Sequence, residues 1–215
     1  METRYYTGSD MARVYCEKCN GCGDCCHGMT DTIHLDPLDL VSLENGLGKS
    51  FADLMQSGRI ALHEEEGMIL PHLKMTDGAD ARCTFLGADG RCTIHPFRPG
   101  LCRLFPLGRD YDADSRTFRY FVVESGCDMP GRVKVKISRW LGVPELKKYE
   151  AYVSSWHYFC KDVKAQLPGL ETESRRSLDL FVLKVFYETP FDRERDFYDQ
   201  FALRLKEART VLQPS

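Results

Sequence analysis

The sequence predicts an α+β fold: a small, loop-rich half of β-hairpins and short helices, followed by about three amphipathic α-helices packed on it. Three observations carry this expectation. Nine of the ten cysteines fall in the first 127 residues, and five form one run, Cys16-Glu-Lys-Cys19-Asn-Gly-Cys22-Gly-Asp-Cys25-Cys26. Up to about residue 130, short apolar runs alternate with turn signals rich in Gly and Asp. Beyond that point apolar residues step by three and four, the period of a helix face.

Length and composition bound the possibilities. A chain of 215 residues can bury a core without covalent help. Charged residues make up 28% and hydrophobic ones 43%, as in ordinary globular proteins. The net charge of −3 argues against a general nucleic-acid binder. The one basic stretch, Arg132 to Arg139, reads as the solvated face of a strand or helix. The N-terminus shows no apolar leader and no run long enough for a membrane span, so the expected compartment is a reducing cytoplasm. There, clustered cysteines serve metal or redox chemistry more often than structural disulfides.

The elements follow in order. Ile33 to Leu35 is a short extended stretch. Asp36-Pro37 supplies an N-cap and a first helical residue, opening a helix to about Glu44 that Gly46 or Gly48 ends. A second helix runs from Ser50 to Gln56, closed by Gly58. Ile60–His63 and Met68–Lys74 form a hairpin around Glu64–Gly67. Arg82–Leu86 and Arg91–Ile94 form another around Gly87-Ala88-Asp89-Gly90. Leu104–Gly108 and Thr117–Val123 form a third pair around the polar loop Asp110–Ser115. Leu146, Tyr149, Val153, Trp156, Cys160 and Val163 then mark one face of a helix opening at Pro144, broken at Pro168-Gly169. Leu178, Phe181, Val182, Val185 and Phe186 mark the next helix. Thr189-Pro190 caps the last, with the stripe Tyr198, Phe201, Leu205, Ala208 and Leu212.

The cysteine run carries the chemistry. Two residues between cysteines let two thiolates converge on one metal, because the intervening backbone can curl into a knuckle. Gly21, Gly23 and Gly28 permit the turns this requires. A second group, Cys83, Cys92, Cys102 and Cys127, is spread along the chain. Cys83 and Cys92 bracket the predicted hairpin and can face one centre.

Cys19-Asn-Gly-Cys22-Gly-Asp-Cys25-Cys26 resembles the signature of the CxxCxxCC cysteine-cluster family, also called YkgJ-like, a zinc- or iron-chelating domain. Downstream, Cys83-Thr-Phe-Leu86, Asp89-Gly90-Arg91-Cys92-Thr-Ile94-His95 and Arg98-Pro99-Gly100-Leu101-Cys102-Arg103-Leu-Phe105-Pro106 are similar to the family's later motifs, in the same order. The resemblance covers roughly the first 130 residues. It implies a metal-binding domain over 1–130 with eight candidate ligands: Cys19, Cys22, Cys25, Cys26, Cys83, Cys92, Cys102 and Cys127. Residues 131–215 form the helical region outside it. Three features depart from the pattern. His95 stands where the family carries Tyr, Cys16 lies upstream of the first family cysteine, and Cys160 lies beyond the family region.

Other readings attach to these residues. Adjacent side chains tend to diverge, so Cys25 and Cys26 are expected to serve two neighbouring centres or two irons of one cluster. Cys160 sits on an apolar helix stripe and reads as core packing. Arg98 and Arg103 either offset thiolate charge or fix the local turn. His63 and His72 read as a chance surface pair, His27 as solvent-facing, and His34 and His157 as lacking companions.

The function expected is a cysteine-ligated metal centre, favouring a [4Fe–4S] cluster with a redox or electron-transfer role and an unidentified protein or redox partner, without nucleic acid or membrane. Three thiolates from one glycine-rich loop resemble ferredoxin-type ligation, whereas a structural zinc site pairs two separated knuckles. Zinc in a structural or interaction module is the alternative. The family resemblance also touches flagellin lysine N-methylase, implying a possible role in methyl transfer, but no glycine-rich nucleotide loop follows a strand here.

Overall fold

In a computed structural model the described residues are 3–15, 23–79, 81–123 and 131–212. Cys16, Cys19, Cys22 and Cys127 lie outside them. Small antiparallel sheets and helices alternate, giving an α+β architecture. β1 (Tyr5–Tyr6), β6 (Thr117–Val122) and β5 (Leu107–Asp112) form one sheet in that order. β2 (Met11–Tyr15) pairs with β7 (Val133–Lys136), and β3 (Ile60–Glu65) with β4 (Met68–Leu73).

Local chemistry explains the sequence-legible elements. Asp36 caps α1 (Pro37–Leu47) through a reciprocal box: the Asp39 amide donates to Asp36 Oδ1 at 2.9 Å and the Asp36 amide to Asp39 Oδ2 at 3.2 Å. Gly48 ends the helix in the left-handed region, while Gly46 lies inside it, against Phe97. Ser50 caps α2 (Phe51–Gln56) in the same way. The β3–β4 turn is tighter than expected, with Glu66 and Gly67 at φ 52° and 85°, the backbone of a two-residue hairpin loop.

Elsewhere the structure corrects the expectation. The stretch 82–94 is not a regular hairpin: Leu86 and Cys92 meet at an isolated bridge, and a 3-10 turn (His95–Phe97) follows. Leu104 belongs to α3 (Gly100–Leu104), and β5 runs on through Asp110 to Asp112. Val133–Lys136 of the basic stretch is β7, leading into α4 (Ile137–Leu141). Thr189-Pro190 does not cap the last helix. It follows the π turn (Lys184–Glu188) that ends α6 (Thr172–Leu183), whereas α7 spans Phe197–Leu212.

The long helix α5 (Leu146–Gln166) buries Tyr149, Tyr152, Val153, Trp156, Phe159, Cys160 and Val163. With Phe186 of the π turn and Phe201 and Leu205 of α7 they share a core with Leu35, Leu40, Leu43, Ile60 and Leu73. Three side chains from the helices bind main-chain groups of the earlier residues. Tyr152 Oη accepts from the Leu38 amide at 3.0 Å, Tyr187 Oη donates to the Leu35 carbonyl at 2.9 Å, and Asp179 Oδ1 accepts from the Ile69 amide at 3.0 Å. A second, smaller core joins Ala12, Val14, Leu104, Leu107, Tyr120, Ile137 and Leu141. It packs α3 and the start of β5 onto the β2–β7 pair.

Candidate metal centre

Four segments bring cysteines together. Cys25 and Cys26 sit on a 3-10 turn (Asp24–Cys26) closed by the Cys26 amide on the Gly23 carbonyl at 2.8 Å. This turn docks antiparallel on the next segment: the Cys83 amide donates to the Cys26 carbonyl at 2.8 Å, and the Gly28 amide to the Ala81 carbonyl at 2.9 Å. Gly23 adopts φ +70°, and a Cβ there would lie 2.4 Å from the Gly90 carbonyl oxygen. Only glycine meets both demands. The contact presses the first cysteine turn onto the Gly87–Gly90 turn that presents Cys92. Cys102 comes from α3.

The thiols interact. Cys26 interacts with the thiols of Cys25 and Cys92, which raises its own pKa strongly. The same contacts favour thiolate at the other two, lowering Cys25 to about 7 and Cys92 to about 6. Burial raises Cys83, and the nearby charges of Cys92 and Cys25 add to that. Burial also raises Cys102, followed by the fields of Asp39, Cys25, Cys83 and Cys92. Each of the five sulfurs therefore feels others of the set.

The flanking arginines divide between the two readings. The field of Arg98 acts on Cys102, Cys92 and Cys25, and its Nη1 also donates to the His95 carbonyl at 3.2 Å. Arg103 instead donates to the carbonyls of Leu141 at 3.3 Å and Pro96 at 3.2 Å, fixing the turn. His95 is exposed, and its ring lies against Arg98 Nη1. His27 is exposed too, its backbone bridging Arg82. Cys160 is buried in the helical core, and its pKa is raised by burial, with no cysteine among the charges acting on it.

Sequence reasoning missed Asp39. Its buried carboxylate does more than close the α1 cap: Oδ1 accepts the Gly100 amide at 2.7 Å. Tyr149 Oη would stand 2.8 Å from a Cβ at Gly100. Asp39 and Tyr149 thus seat the first residue of the helix that carries Cys102. The Asp-x-x-Asp capping pattern was visible in the sequence; its reach to α3 was not.

Among the described residues, no three Cys, His, Asp or Glu side chains form a ready coordination shell. Cys19, Cys22 and Cys127 lie outside those residues. The donors present nonetheless suit a thiophilic metal by their chemistry: soft sulfurs, two of them biased toward thiolate, converging from separate segments.

A profile of the CxxCxxCC family, described as a "putative zinc- or iron-chelating domain", matches residues 18–127, slightly more than half of the chain. The chain belongs to this family. All eight candidate cysteines fall inside the matched CxxCxxCC region, and Cys16 and Cys160 fall outside it. The coarse function that follows is metal chelation, of zinc or iron. No curated protein and no solved structure matches the chain.

Proposed function

We propose that the cysteines hold a [4Fe–4S] cluster and that the protein acts in electron transfer. The observation that supports this is the gathering of Cys25, Cys26, Cys83, Cys92 and Cys102 from four segments, near enough for each to influence the titration of others. A mononuclear zinc site takes four ligands. A [4Fe–4S] cluster takes four cysteines as well, so ligand number does not choose between them; the Cys-x-x-Cys spacing of Cys19, Cys22 and Cys25 on one glycine-rich run, with further cysteines from distant segments, favours ferredoxin-type ligation.

The bound cluster would supply a one-electron redox couple. The protein's own residues would supply thiolate ligands, a cation at Arg98 offsetting their negative charge, and partial burial that raises the cost of added charge. Protein made and purified without oxygen under iron-replete conditions tests the reading. Iron and acid-labile sulfide in near-equal amounts, with broad visible absorption, are expected. A colourless protein holding stoichiometric zinc would transfer the assignment to a zinc-stabilised structural module.

A further inference from the structure

A cleft of about 350 Å³ opens beside the cysteines. Its lining includes Cys25 and Cys102, the apolar side chains of Ile33 and Leu101, and Arg109 and Tyr111 from β5. Among the described lining residues Arg109 is the one basic side chain. A guanidinium withdrawn from water needs a counter-ion or a full set of acceptors. Among the described residues no carboxylate forms an ion pair with half-buried Arg109, and Tyr149 and Tyr111 are its hydrogen-bonding partners. Its Nη2 donates to Tyr149 Oη at 2.9 Å, and its Cζ stands 5.3 Å from the Phe118 ring centroid and 5.7 Å from that of Tyr149. Its Nε is buried without an acceptor. Asp36 and Asp39 act on it only at longer range, and both are engaged by backbone amides in the α1 cap. The tyrosine hydroxyls leave Nε as a donor with no partner, free to meet a ligand in the cleft.

We propose that this cleft binds a small monocarboxylate with an apolar body, the carboxylate on Arg109 and the body alongside Cys25 and Cys102. A single guanidinium beside thiolate-prone Cys25 suits one carboxylate and disfavours a phosphate dianion. The apolar wall selects a ligand with a hydrocarbon portion rather than a bare ion. The inference stands on the cleft and on Arg109, whichever metal the cysteines hold. Its position gives a bound ligand access to that centre.

Calorimetry on the full-length, metal-loaded protein decides it, with hexanoate, hexanamide and inorganic phosphate as probes and metal content measured on every sample. Hexanoate is expected to bind at least about tenfold more tightly than hexanamide, the difference coming from the charged contact. Arg109→Met should erase that preference. Thr32→Trp, which fills the cleft from an exposed lining position and leaves Arg109 in place, should weaken hexanoate by roughly tenfold. If Arg109→Met fails to fold, Thr32→Trp and the hexanamide comparison decide alone. Equal binding of hexanoate and hexanamide, tighter binding of phosphate, or hexanoate affinity untouched by Thr32→Trp would overturn the proposal. Because metal content is read separately, loss of metal with binding retained points to the centre, and the converse to the cleft.

Discussion

Asp39 Oδ1 accepts the backbone amide of Gly100 at 2.7 Å, joining the cap of α1 to the first turn of the helix that carries Cys102. The contact spans 61 positions of sequence. It turns a local capping residue into the support of a candidate ligand.

Asp39→Ala should therefore act at a distance. It leaves the Gly100 and Asp36 amides without an acceptor, at a cost of roughly 1.5–3 kcal/mol for a bond to a charged group. The expected result is a lower urea midpoint together with faster loss of metal to a chelator, although no cysteine is changed. Asp39→Asn retains one carbonyl oxygen for Gly100 and should fall between the two. An Asp39→Ala protein that holds its metal as wild type does would refute the supporting role.

Gly23 and Gly28 offer a matched pair. Both have positive φ, so alanine at either carries the left-handed penalty of about 1–2 kcal/mol. At Gly28 nothing lies within 4 Å of the added Cβ; at Gly23 the Gly90 carbonyl lies at 2.4 Å. Gly23→Ala should separate the Cys25–Cys26 turn from Cys92 and lower metal occupancy, whereas Gly28→Ala should reduce only stability. Metal analysis of the two variants side by side checks this, and equal occupancy would count against it.

Cysteine identity should separate in the same assay. Cys92→Ser removes one of the candidate ligands that influences Cys26 and should lower metal content. Cys160→Ala should leave metal content unchanged and cost roughly 1 kcal/mol of stability through lost core packing. Metal loss on Cys160→Ala would contradict its assignment to the core.

The histidines set an expectation for pH. His72, 4% exposed, packs against His63 with ring centroids 5.6 Å apart, and the Asp31 carboxylate lies 3.4 Å from His72 Nδ1 and 3.5 Å from His63 Nδ1. Burial lowers the pKa of His72; Asp31 and the Leu73 carbonyl raise it in part, and His63 and His34 lower it further. A folded pKa below the unfolded value near 6.5 means that the unfolded chain takes up the proton first. Stability should be intact above about pH 6.5 and decline as pH falls below it, by at most about 1.4 kcal/mol per pH unit for one proton. His72→Gln should flatten that decline in urea titrations at pH 7.5 and 5.5. A slope unchanged by the substitution would exclude His72 as its source.

What the sequence disclosed was local. Asp36-Pro37, Ser50 and the i, i+3, i+4 stripe of α5 act within a turn or two, so their residue types suffice to place them. The β1–β6 and β2–β7 pairings join segments more than a hundred residues apart through short strands, and no periodicity announces them. The same holds at the candidate centre. Spacing and the family resemblance marked Cys25, Cys26, Cys83, Cys92 and Cys102 as candidates, but their approach depends on a backbone turn wedged by Gly23 against Gly90. His63 and His72 read as a surface pair, yet β3–β4 register and the approach of Asp31 bury His72. Arg109 carried no signal, because its lack of a counter-ion exists only in three dimensions.

The grip of Tyr152, Tyr187 and Asp179 on the main chain of Leu38, Leu35 and Ile69 bears on how the molecule is handled. Ending expression at the last residue of the family match would strip those three anchors away and lay open the aliphatic surface that Trp156, Phe186 and Phe201 now cover. Such a shortened product is expected to clump rather than chelate, so reconstitution trials should begin from the whole polypeptide.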